Sequence, residues 1–119
     1  MDDFVGIDLN DSFVLDWEFQ GSKLEFSLEA SIWPGSKYYS KPEPEEYTCY
    51  KPAKLKFISV EKIYGLISQE SAQSTIDKQG EIDYGNIEVF EKTKSGFYIE
   101  GNFGKVVINE GKMEFIIET

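Results

Sequence analysis

The chain has 119 residues, 40% of them hydrophobic and 15% aromatic, which is enough for one domain with its own core and too apolar for a disordered chain. Its 22 acidic and 12 basic residues leave a formal net charge of −10, and every basic residue is lysine, with no arginine and no histidine. This composition disfavours nucleic-acid binding, because the phosphate backbone would be repelled. It also removes the forked guanidinium grip on phosphate, the usual general acid–base and the commonest metal ligand.

The dominant pattern is alternation with period two. Phe13, Leu15, Trp17 and Phe19 are expected to face one way along a first strand, and Val14, Asp16 and Glu18 the other. Gln20-Gly21-Ser22 breaks the run. From Lys23 to Ile32, Leu24, Phe26, Leu28, Ala30 and Ile32 alternate with Lys23, Glu25, Ser27, Glu29 and Ser31. Two alternating runs joined by a short glycine-containing loop predict a β-hairpin with one buried and one wet face.

Trp33-Pro34-Gly35 ends the second strand. The following stretch to about Glu46 contains Pro42 and Pro44, which cannot donate ladder hydrogen bonds, and is expected to be an exposed loop. A third strand is expected from Tyr47 to about Val60, interrupted by Pro52, and a short one over Ile63–Ile67. Ser68–Gly80 is the least patterned segment; Ser71–Thr75 has room for one helical turn. Ile87–Lys92, Phe97–Glu100, Lys105–Asn109 and Lys112–Glu118 read as strands, separated by the turn residues Lys94-Ser95-Gly96 and Asn109-Glu110-Gly111. The expectation is a mainly β, single-domain antiparallel sandwich or open barrel of seven to eight strands with little helix. Leu24, Phe26, Leu28, Leu55, Phe57, Val89, Val106, Ile108 and Phe115 are the expected core.

Most motifs that would carry chemistry fail on inspection. Asp8-Leu9-Asn10-Asp11-Ser12 begins like a calcium loop, but Phe13 stands where glycine is needed and Phe19 where a bidentate glutamate is needed. The segment is read instead as a polar turn entering the first strand. Asn10-Asp11-Ser12 also fits a glycosylation acceptor, without a secretory context. Gly101-Asn102-Phe103-Gly104 lacks the third glycine and the lysine of a phosphate loop, and reads as a tight turn with Phe103 pinned inward. Asp16 with Glu18 and Glu25 with Glu29 share strand faces, but on the solvated side. Cys49, the single cysteine, has no histidine to activate it, so a structural thiol is expected, with no intrachain disulfide. Trp17 and Trp33 raise the possibility of an aromatic-lined cavity. No metal and no cofactor is expected. The acidic opening Met1-Asp2-Asp3 lacks an apolar signal region, and no stretch reaches the ~20 apolar residues of a membrane helix. With one cysteine, this suggests a cytoplasmic setting.

The feature best suited to binding is the group Tyr38, Tyr39, Glu43, Glu45, Glu46, Tyr47 and Tyr50. It interleaves rigid aromatics with carboxylates in a proline-stiffened loop. An acidic surface of this kind attracts a basic protein.

Asp11-Ser12-x-Val14, Trp17 and Gly21-x-x-Leu24-x-Phe26-x-Leu28 resemble the opening of small bacterial β proteins of the toxin-system immunity type. Leu55-x-Phe57-x-x-Val60, Tyr64-Gly65-Leu66 and the run Ile99 to Gly104 resemble their later strands. Asn10 stands where those chains often carry histidine. The resemblance implies a non-catalytic binding protein and designates no binding residue. The expectation is therefore a protein-binding module rather than an enzyme, in the form of an immunity-type inhibitor of a basic toxin domain; the alternative is a small-molecule binding β-barrel with an aromatic-lined interior.

Overall fold

The computed structural model describes residues 4–44 and 48–118. The alternating runs form antiparallel strands: β1 (Ile7–Gln20), β2 (Lys23–Ile32), β3 (Cys49–Ile58), β4 (Lys62–Leu66), β5 (Thr75–Ile76), β6 (Ile82–Asp83), β7 (Ile87–Thr93), β8 (Gly96–Gly101), β9 (Gly104–Asn109) and β10 (Lys112–Ile117). One sheet has the order β1-β2-β3-β10 and the other β4-β9-β8-β7; β5 and β6 make a small separate hairpin. The described residues thus carry ten strands rather than seven or eight. The additions are the two-residue β5 and β6, in the segment where no periodicity was available to read. A 3-10 turn over Gln69–Ser71 takes the place of the expected helical turn at 71–75. Among the described residues no helix is long and apolar enough to cross a membrane.

The first sheet runs across one end of the second. Trp17 Nε1 donates to Ile67 O (2.9 Å), just beyond β4, while Asn10 Nδ2 donates to Ile87 O (2.9 Å), at the start of β7. β4 and β7 are opposite edges of the second sheet, so β1 must cross the ends of its strands. The outer edge of β1 is closed by the segment before β7. Val14 N–H donates to Gly85 O (2.8 Å), Tyr84 N–H to Val14 O (2.8 Å) and Asn86 Nδ2 to Ser12 O (2.7 Å).

β1 departs from the alternation read in it. Its register against β2 shifts between Asp8 and Phe13 and again between Val14 and Asp16. The second shift makes Leu15 an extra residue opposite β2 and inverts the faces on either side of it. Val14 is therefore buried, whereas Phe13 lies on the outer face and Phe19 is 40% exposed; Trp17 alone of the four expected residues is in the core. The first shift absorbs Leu9 to Ser12 into the strand, so Asn10-Asp11-Ser12 is a wide bulge and not a turn preceding it. A third shift, between Ile87 and Val89 in β7, turns Ile87 and Phe90 inward and leaves Val89 only half-buried.

Pro52 does not interrupt β3. Its carbonyl accepts from Glu118 N–H (2.8 Å), so its nitrogen also faces the β10 side, at the place where that strand has ended. Proline cannot return the reciprocal bond to Glu118 O, and β10 ends at that point. The rest of the expected core is found where it was read: Leu24, Phe26, Leu28, Leu55, Phe57, Val106 and Ile108 are buried. Phe115 is half-buried because β10 is an edge, and the Phe4 ring covers it at 4.9 Å. Phe103 is fully buried, its ring 4.8 Å from Phe26 and 5.9 Å from Trp17. Phe57 continues the cluster to Phe97 (5.1 Å) and Phe90 (6.0 Å). Of the two tryptophans that could have lined a cavity, Trp17 packs among these rings and Trp33 is exposed.

Candidate functional site: an acidic and aromatic patch on the first sheet

The bulge in β1 places Asp11 beside two neighbouring strands. Ser31 on β2 and Tyr50 on β3 are cross-strand partners. Ser31 Oγ donates to Asp11 Oδ2 (2.9 Å), and Tyr50 OH donates to the same oxygen (3.4 Å). Trp33 Nε1 donates to Ser31 Oγ (3.0 Å). Beneath them, Ser12 Oγ donates to Asp8 O (2.7 Å) and accepts from Ser31 N–H (2.9 Å). Both serine hydroxyls are thus used in both directions, as buried hydroxyls require. The Phe13 ring lies 5.6 Å from that of Tyr50, and Trp33 remains 39% exposed. The result is a carboxylate rimmed by three aromatic side chains whose orientations are held before anything binds.

The next row of the same face carries Phe13, Glu29 and Pro52. Beside it an open cleft of about 350 Å³ is bordered by Leu15, Leu28, Pro52, Ile82 and two further carboxylates, Glu29 and Glu81. Farther along, Lys23, Lys54 and Lys56 lie 3.7, 4.0 and 3.7 Å from Glu25. Asp16 and Glu18 are exposed on this wet face. Neither carboxylate pair is enclosed, as acid–base work at a desolvated carboxyl would require.

The Tyr and Glu group read from the sequence is divided by the fold. Tyr50 belongs to the patch. Tyr39 and Glu43 are exposed in the loop, whereas Tyr38 turns back onto the core, with Lys37 Nζ 5.2 Å from its ring centroid. Glu45, Glu46 and Tyr47 lie outside the described residues. The loop leaves β2 at Trp33 and returns to β3 just before Tyr50, so both its ends are rooted in the patch. Sequence reading gave Asp11, Phe13 and Ser31 no binding role: Asn10-Asp11-Ser12 was read as a turn and Phe13 as facing the apolar side.

Cys49 is a buried free thiol with its sulfur 3.7 Å from Ser40 Oγ. Burial alone should make alkylation of the native protein slow and that of the urea-unfolded chain fast. A mass-spectrometric time course checks this, and rapid native labelling would show an accessible thiol. Among the described residues no three Cys, Asp or Glu side chains are grouped to hold a metal ion.

On the second sheet Tyr98 OH donates to Glu100 Oε1 (2.6 Å). This bond, with some desolvation and the charges of Glu100 and Glu91, raises the Tyr98 pKa above its ordinary value. The folded protein holds this proton more tightly than the unfolded chain. The associated stability is therefore complete below the ordinary tyrosine range, near 10, and is lost as pH rises through the higher folded value. Spectrophotometric titration should find a tyrosine that ionises above the ordinary range, and Glu100→Gln should lower that transition.

Compared with protein families, with curated proteins and with solved structures, the chain finds no match in any of the three.

Proposed function

We propose that this protein is a non-catalytic binding module that covers a basic surface on a partner protein, in the manner of a cytoplasmic immunity-type inhibitor. The observation that carries this reading is the Asp11 carboxylate, fixed by Ser31 and Tyr50 and flanked by the half-exposed Trp33. Trp and Tyr are the residue types that most often anchor interfaces, and anchors already held in place lose less freedom on binding. Glu29 and Glu81 extend the acidic character, and the net charge of −10 steers a basic partner toward the molecule. Tyr39 and Glu43, from the loop rooted at its edge, and Tyr50 extend this surface. The filled aromatic core favours this reading over a ligand-binding barrel.

The test is retention of proteins from the source organism on the immobilised chain. A basic protein should be retained at low salt and released at high salt, and Trp33→Ala or Asp11→Ala should lose it. In the purified pair, Trp33→Ala should mainly speed dissociation, whereas neutralising Glu43, Glu45 and Glu46 together should slow association and flatten its salt dependence. Unchanged rates in both variants would move the interface elsewhere.

A further inference from the structure

Three of the four edges of the two larger sheets are interrupted in ways that discourage strand addition. β1 and β7 carry register shifts and bond to one another's surroundings, and β4 is shifted between Tyr64 and Leu66. β10 is different. Its ladder with β3 runs from Lys112↔Ile58 to Ile117↔Ala53 without a shift, and it contains no proline or glycine. The Glu118 N–H bond to Pro52 O shows which groups face β3: those of the even-numbered residues. The N–H and C=O groups of Met113, Phe115 and Ile117 therefore point to the free side, and among the described residues no backbone group pairs with them.

We propose that this edge pairs with the same edge of a second copy, antiparallel about a two-fold axis through Phe115. Outward-pointing groups can meet only outward-pointing groups, which leaves few registers. Centring on Glu114 sets Glu114 opposite its own copy, and centring on Ile116 sets Glu114 opposite Glu118. Centring on Met113 runs the pairing past Gly111, where a positive φ of 105° turns the chain out of the strand. Centring on Phe115 uses the whole strand. It sets Lys112 opposite Glu118 twice on the outer face, and Met113 opposite Ile117 with Phe115 opposite Phe115 on the inner face. No like charges then stand opposite one another; on the inner face apolar residues meet apolar residues, and on the outer face Glu114 meets Ile116. The charge pattern of β10 is thus complementary to itself in one full-length register.

Sedimentation velocity over a concentration series tests this. A reversible dimer should form at high protein concentration. Salt should favour it, because each copy carries a net charge of −10 that must be screened. Glu118→Lys lowers that repulsion and should still weaken the dimer, by roughly tenfold, because it sets two lysine pairs opposite one another. Lys112→Glu should weaken it comparably, and the double variant should restore it. Both substitutions lie at exposed side chains that the fold does not use. In hydrogen exchange, the amides of Met113, Phe115 and Ile117 should exchange fast in dilute protein and become protected as dimer forms, while those of Glu114 and Ile116 are protected throughout. A monomer at every concentration and salt, a dimer indifferent to the charge reversals, or edge amides already protected in dilute protein would each overturn the proposal. The last would show the edge covered by the chain's own residues.

Discussion

Phe26→Ala is expected to destabilise the protein by about 3–5 kcal/mol. Phe26 is fully buried in the middle of β2, between Trp17 on β1 and Leu55 on β3 in the ladder. Its ring meets Phe103 from the second sheet at 4.8 Å and Phe57 at 6.4 Å, so it joins the two layers as well as neighbours within one. Truncation would leave a cavity walled largely by other rings, which are rigid and relax poorly into empty space. Phe26→Leu keeps most of the volume and should lose clearly less. Urea unfolding of the three proteins measures the series. A loss below about 1 kcal/mol for the alanine variant would place Phe26 outside the core.

Gly104→Ala is expected to be nearly as costly, about 3 kcal/mol or more, although it adds only a methyl group. Gly104 opens β9 with φ of 120°, where a side chain strains the backbone by about 1–3 kcal/mol. Its added Cβ would also land on the carbonyl oxygen of Gly65, a backbone atom of the neighbouring β4 that cannot swing aside. β4 and β9 would have to separate at this end, beside Phe103. Gly21, in the β1–β2 turn, supplies the control. Its φ is also positive, at 63°, but a Cβ there meets nothing within 4 Å. Gly21→Ala should therefore cost only about 1 kcal/mol. Equal losses at the two positions would mean that strain alone, and not the close approach of two strands, limits Gly104.

The strand Lys23–Ile32, the strands after Ile87 and the inward Phe103 were legible because period-two alternation and turn residues report local geometry directly. The bulges were not. Leu15 is apolar, so its insertion left the alternation of β1 apparently intact while reversing the direction of Val14 and Phe13. Val89 was misplaced for the same reason, the extra residue in β7 being a glutamate already expected to face out. Pro52 misled because its effect depends on which side of the strand its nitrogen faces, and that follows from where β10 stops. The binding surface was half legible. Tyr50 stood out by composition, but Asp11, Ser31 and Trp33 come together only through a bulge and two strand pairings, which no local window contains.

The closure of the outer edge of β1 has a consequence for how the chain reaches its native state. Asn10 finds its backbone partner in Ile87, a sequence separation of 77, and Asn86 reaches back to Ser12 across 74 residues. A ribosome releases β1 and β2 long before residues 84–88 exist. The nascent hairpin must therefore wait with an unpaired edge and an uncovered apolar face until the second sheet has been synthesised. Contacts of such high sequence separation place the molecule among the slow, millisecond-to-second folders. They make the joining of β1 to the segment before β7 a late step, one that cannot begin until most of the chain has left the ribosome.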